Sequence, residues 1–436
     1  MRRILVLSAF LLSFLLPFRQ AFADSWAPFG TRRYVSPSGS HYIVVTDDRE
    51  YRLYKRRHDV SPLKPGVQSE FWTLKDSLPP GPVSDPHDFL IKAGRLPQRP
   101  LDVAVLDSGK GFISFEEYAQ IGHGSTLMFV DSKGKIRFKK SLMNLFGPIS
   151  FVRFYFSYSS VSSIRWCEGF LVDQVQDRVV LVAKNYAMRS VDLNTGRVSK
   201  GRPEHLMEAL MHDITDPEKT LALDVLNHLK PAGLGKLASN ILRDGRQPIS
   251  VRLRAAVALH SFGDSSGKNL ILSAIGERKP STEKEYALQH LPDFLGKEAI
   301  PYLRNAMRKP ISGNVWWAAI TGFARLGKES VPVLCEMLLE ERESSDYRGG
   351  AAYALGMIKA PESVPALLKA VETDDEYTAN AALNTAIDIA EKDIKEALLV
   401  LLEKGTTQDA RIAMYFEKYP DHRAFSALEK ARKRRL

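Results

Sequence analysis

Between residues 24 and 200 the hydrophobic positions fall in short runs of β-branched and aromatic residues separated by turn signals. The runs at 41–45, 50–54, 102–106, 126–130 and 178–182 predict strands. The turns at 36–39, 107–110, 131–134 and 192–196 each contain the glycine that a positive-φ position tolerates best. Together they predict a mainly antiparallel β domain. Residues 61–100 differ: eight prolines and few apolar pairs predict a long surface excursion. The aromatic run 151–158 alternates well enough to predict a strand packed on one face, followed by a serine-rich loop; the same mixture of rings and hydroxyls is also what lines a polar ligand pocket.

From Pro203 onward Ala, Leu, Glu and Lys recur at helical spacing, and the pattern repeats. Ala255, Ala287, Ala318, Ala351 and Ala381 share a register, with separations of 32, 31, 33 and 30 residues. Pro301, Pro332 and Pro365 keep the same period, 31 and 33 apart. Proline in a first turn sacrifices no useful N–H and arrives with φ already set, so each predicts a helix start. Paired small residues such as Ala318 and Ala319 let a neighbouring helix approach, and Gly263, Gly296 and Gly327 fall where a helix C-terminus favours positive φ. Each unit is a helical hairpin too short to bury its own apolar face, so stability must come from stacking. The expected fold is multidomain: a mainly-β domain at 24–203, incomplete propeller-like or a sandwich, then an α-solenoid at 204–436.

The stretches 251–264 and 363–371 resemble the short HEAT repeats of phycobiliprotein lyases, and the resemblance covers roughly 205–430. It comprises five clear units, with degenerate ones at 221–242 and 409–431. Two departures stand out: Leu291-Pro292 interrupts a helix and predicts a kink, and Trp316 and Trp317 replace polar positions and predict a local interface. In the β domain the strand, Gly-containing turn and hairpin pattern resembles propeller blades, and 105–142 is similar to a segment of uncharacterised secreted bacterial proteins. The lyase resemblance implies bilin handling, and nothing in the residues separates that from a general binding groove.

The N-terminus carries an address. Arg2 and Arg3 precede an apolar stretch from Ile4 to Phe18 and the small-residue site around Ala21 and Ala23, the pattern of a signal peptide cleaved after Ala23. The apolar run is shorter than the roughly 20 residues that span a bilayer, and no later run is long enough. The mature chain is therefore expected to be secreted or periplasmic. Its net charge is +7, divided as +8 over 24–203 and −1 over 204–436. Nucleic acid is not an expected partner outside the cytoplasm, and solubility accounts for a basic excess of this size. The run 430–435 gives the solenoid a cationic end.

Candidate chemistry is sparse. No His-Glu dipeptide occurs, and the histidines after residue 204 do not recur in register with acidic neighbours, so a metal site there is not expected. His123 and Ser125 lie in a glycine-rich turn able to present an imidazole for acid or base work, but no Gly-x-Ser-x-Gly signature accompanies them. Ser160, Arg165 and Trp166 are candidate ligand contacts, and Trp316 and Trp317 candidate partner contacts. Cys167 and Cys335 permit at most one disulfide. The expectation is a non-enzymatic scaffold holding a protein or peptide partner, without a cofactor and of undetermined oligomeric state. The alternative makes the β domain a small-ligand sensor or hydrolase-like enzyme positioned by the repeats, and requires His123, Ser125, Glu116 and Glu117 to converge.

Overall fold

The computed structural model describes residues 31–435, apart from 47, 58–87, 99, 101, 116–117, 121–125, 159–162, 213 and 374. Its contacts divide the chain into two compact units between Pro231 and Ala232. The change from strand to helix falls earlier, at Pro203.

Among its described residues the first unit holds three four-stranded antiparallel meanders and one two-stranded ribbon. The first meander is β1 (Arg32–Val35), β2 (His41–Val45), β3 (Glu50–Lys55) and β4 (Phe89–Arg95). The second is β5 (Asp102–Val105), β6 (Gly111–Phe115), β8 (Leu127–Asp131) and β9 (Ile136–Lys140). The third is β11 (Cys167–Asp173), β12 (Arg178–Ala183), β13 (Met188–Asp192) and β14 (Val198–Lys200), and the ribbon pairs β7 (Tyr118–Gln120) with β10 (Ser163–Arg165). Successive side chains of a strand point to opposite faces, and the middle sheet uses both. Phe112, Met128 and Val130 join a core with Tyr34, Ile43 and Leu53 of the first sheet. Ile113, Leu127 and Phe129 join a second core with Val172, Val179, Leu181 and Val191 of the third. Three sheets in series, the middle one covered on both faces, form an incomplete propeller-like stack; a two-sheet sandwich would leave one face of each sheet open. The turn glycines Gly39, Gly109, Gly134 and Gly196 all have positive φ.

One expectation fails here. Residues 148–158 form a helix, α2 (Pro148–Tyr158), preceded by α1 (Leu142–Phe146), rather than a strand. Pro148 supplies a helix-ready φ, and Phe151 and Phe154, three residues apart, both turn towards the core, where Phe154 meets the Phe146 ring edge-on at 5.4 Å. Of the expected surface excursion at 61–100, residues 61–87 and 99 lie outside the described residues; in the remainder β4 pairs with β3 as the outer strand of its sheet, where Phe89, Leu90 and Ile91 are good strand formers and Lys92 and Arg95 suit an exposed edge. The unit also contains α3 (Pro203–Ala209) and α4 (Asp216–Leu229). Helix α4 packs on β11: the Leu221 side chain covers Gly169, and Glu218 accepts from the Val172 N–H at 2.7 Å.

The second unit is a series of helices: α5 (Leu234–Arg243), α6 (Ile249–His260), α7 (Lys268–Gly276), α8 (Thr282–Leu295), α9 (Ile300–Arg308), α10 (Gly313–Leu326), α11 (Val331–Leu339), α12 (Ser345–Ile358), α13 (Val364–Val371), α14 (Glu376–Ala390), α15 (Lys395–Lys404), α16 (Asp409–Lys418) and α17 (Ala424–Arg435). Pro301, Pro332 and Pro365 stand in first turns, each after a short 3-10 turn. Helix α8 packs on α6 and α10, α10 on α12, and α12 on α14, so each hairpin is sheltered by its neighbours as the period requires. No described helix is long and apolar enough to cross a membrane.

Pro292 does not interrupt its helix, which continues to Leu295. Proline has no N–H to give the Leu288 carbonyl. That carbonyl faces Gly322 of α10 so closely that a Cβ there would lie 2.8 Å from the oxygen. The neighbouring glycine thus opens room beside the carbonyl that Pro292 leaves without its usual helical donor.

Candidate functional site

Of the candidate residues, His123, Ser125 and Ser160 lie outside the described residues, as do Glu116 and Glu117. Arg165 ends strand β10. Trp166 is fully buried between Phe115 and Phe146, at 5.9 and 5.4 Å between ring centroids, and its indole N–H has no hydrogen-bond partner among the described residues. It belongs to the core rather than the surface. Trp316 is half-buried, and Trp317 is 46% exposed.

The two tryptophans begin an aromatic strip that crosses three successive hairpins. Ser312 caps α10 by accepting from the Val315 N–H, which fixes the turn from which Trp316 and Trp317 project. Trp316 reaches across to α12, where its indole N–H donates to the Asp346 carbonyl at 3.1 Å and its ring lies against Gly350. Tyr353, further along α12, meets Trp316 and Trp317 edge-on at 6.3 and 6.5 Å. Tyr377 of α14 lies against Gly349 and hydrogen-bonds the Tyr353 side chain. Gly349 and Gly350 leave α12 without side chains where both rings must rest, so a ring from each adjacent helix can close on its backbone. Tyr353 and Tyr377 remain 38% and 40% exposed, and Met357 is exposed one turn beyond Tyr353.

The strip is electrically negative. Asp346 and Glu376 occupy the first turns of α12 and α14, both exposed and neither in an ion pair among the described residues. Burial, the neighbouring Tyr353 hydroxyl and the carboxylates Asp346 and Asp375 push the Tyr377 hydroxyl up to about 12. Arg325 grips Asp293 at 2.6 Å, and Arg348 is buried, donating to the Leu338 carbonyl at 3.0 Å and lying 3.9 Å from Asp375, whose charge it balances. An apolar, ring-lined and anionic surface can hold cations and exclude anions, but it has no nucleophile or paired acid and base.

A second polar cluster lies in the first unit. Asp173 is fully buried and accepts from Arg178 Nη2 at 2.9 Å and from the Gln176 N–H, with His212 Nδ1 also at 2.9 Å. Arg178 also reaches Glu208 of α3 at 2.6 Å. The His212 imidazole has an orienting carboxylate but, among the described residues, no hydroxyl or thiol bonded to it, so the arrangement joins β11 and β12 to α3. A related cluster links the first two sheets: Ser38 donates to Asp107, and Ser40 Oγ lies 2.8 Å from Nδ1 of the buried His41, whose ring bonds the Asp107 backbone. Cys167 and Cys335 are not joined in a disulfide: Cys167 Sγ donates to the Gly169 and Val182 carbonyls, each at 3.2 Å, and burial, with the Glu362 charge, pushes Cys335 up. No group of three potential metal ligands occurs among the described residues.

Residues 331–416 match the family model for HEAT repeats. The C-terminal hairpins are therefore HEAT-like. Among solved structures, human deoxyhypusine hydroxylase in complex with glycerol is similar at 18% identity, over 52% of this chain and 84% of that chain, with a TM-score of 0.23. The complex of CpcE and CpcF of phycocyanin lyase from Nostoc sp. is similar at 17% identity, over 54% of this chain and 95% of that chain, with a TM-score of 0.29. No curated protein matches the chain.

Sequence reasoning singled out Trp316 and Trp317 but missed Tyr353 and Tyr377. The signal was available in the Gly349-Gly350 pair: two glycines inside a helix are unfavourable unless something must come close.

Proposed function

We propose that this protein is a scaffold that acts outside the cytoplasm after loss of residues 1–23, using its HEAT-like solenoid to hold a protein or peptide partner. One observation carries the reading: Trp317, Tyr353 and Tyr377 stay exposed together across three hairpins, an arrangement that spends large aromatic side chains on a surface. A photo-cross-linking residue at Met357, tested in the native host, should give a discrete heavier adduct, while one at the exposed Met414 should not. Adducts from both positions, or from neither, overturn the reading. The mature protein should begin at Asp24; a first residue still at Met1 overturns the location.

A further inference from the structure

We infer that the strip of Trp317, Tyr353 and Tyr377, bordered by Asp346 and Glu376, docks an extended segment of a partner protein bearing arginine or lysine side chains, an inference that rests on the protein-binding reading above. The argument is charge complementarity on an apolar surface. The face of an aromatic ring carries negative potential and attracts cations. Here the rings stand beside two exposed carboxylates with no ion pair among the described residues. Each carboxylate sits at a helix N-terminus, whose dipole is worth about half a positive charge and so offsets only part of it. Arg325 is committed to Asp293, and the buried Arg348 donates to the Leu338 carbonyl and lies 3.9 Å from Asp375, so its charge is balanced by that carboxylate. Asp346 and Glu376 are thus left without a cation of their own among the described residues.

Shape selects a chain over a small amine. The rings do not close into a cage but run across α10, α12 and α14. Helices pack about 10 Å apart, so three of them present roughly 20 Å. An extended chain covers that length with about six residues. Rings at several points along it can each receive a cationic side chain, with the aliphatic stem lying on the apolar area.

The test uses the full chain and fluorescein-labelled eight-residue peptides that are arginine- and lysine-rich, glutamine-substituted or glutamate-substituted, followed by fluorescence anisotropy. The basic peptide should bind and weaken as salt rises, while the other two bind at least tenfold more weakly. Trp317→Ala should reduce its affinity about tenfold, as should the isosteric pair Asp346→Asn and Glu376→Gln, which preserves shape if the alanine variant is disturbed. The control pair Glu298→Gln and Glu329→Gln, exposed carboxylates away from the strip, should leave affinity within twofold. Equal binding of the glutamine peptide, or unchanged binding by both strip variants, overturns the inference. So does self-association abolished by Trp317→Ala, which would assign the strip to a second copy through its basic 430–435 end. If the basic peptide fails to bind while Met357 still yields its adduct, the docking chemistry is wrong and the scaffold reading stands.

Discussion

The Trp316 indole N–H donates to the Asp346 carbonyl at 3.1 Å, so a side chain of one hairpin closes on the first turn of the next. Trp316→Phe keeps a ring but removes both the donor and the indole atoms that lie over Gly350, and should destabilise the solenoid by about 2 kcal/mol. Trp316→Ala removes the ring altogether and should cost about 3 kcal/mol. Urea unfolding of the two variants checks that order.

Two glycines in helices should respond differently to alanine. At Gly322 a Cβ would stand 2.8 Å from the Leu288 carbonyl and 2.7 Å from Leu303, so backbone must give way and stability should fall by about 2 kcal/mol. At Gly349 the obstacle, at 2.5 Å, is the partly exposed Tyr377 ring, which can rotate aside. The gain in helix propensity, about 1 kcal/mol, should leave Gly349→Ala near neutral in stability. Thermal melts of both variants check the contrast.

Breaking the buried Asp173 cluster should be among the most damaging single changes in the first unit. Asp173→Asn keeps the shape but leaves the Arg178 guanidinium, whose side chain is 13% exposed, with only Glu208 as its carboxylate partner. A loss of about 3 kcal/mol is expected, because the charge stranded in a buried pair is costly. Arg178→Met together with Asp173→Leu should lose less than Asp173→Asn alone, and equilibrium unfolding of the variants decides.

The first unit should weaken in mild acid through His41. Burial, reinforced by the Lys55 charge, holds this imidazole below its ordinary 6.5 despite the opposing influence of Asp107. As pH falls, the unfolded chain takes up the proton first, so the contribution is fully present well above 6.5 and is lost as pH falls from there towards the lower folded value. The denaturation midpoint of the first unit should drop between pH 7.5 and pH 5.5, and His41→Gln should flatten that slope.

The repeat was legible because its markers are local. A proline such as Pro332 sets its own φ and dispenses with its own N–H, whatever surrounds it. The strands were legible for the same reason, since β-branched runs and turn glycines act over a few residues. The aromatic strip was not, because its members share no register: Trp317 precedes Ala318 by one residue, Tyr353 follows Ala351 by two, and Tyr377 precedes Ala381 by four. Only the stacking of α10, α12 and α14 brings them side by side. Helix α2 was misread because aromatics at 151, 154, 156 and 158 satisfy two periods, and the choice was made by Pro148 and by the core that Phe154 fills. Strand β4 was hidden by the prolines around it.

The short turns before Pro332 and Pro365 have a consequence for how such a chain can grow. Ser330 donates its hydroxyl to the Gly327 carbonyl, and Ser363 to that of Ala360, so each junction completes its polar requirements within a few residues. A cassette copied or deleted in frame would carry the polar partners of its own junction with it, and only bridges between hairpins, such as Arg325 to Asp293, would have to form anew. Array length is thus open to change by unequal recombination, one whole cassette at a time.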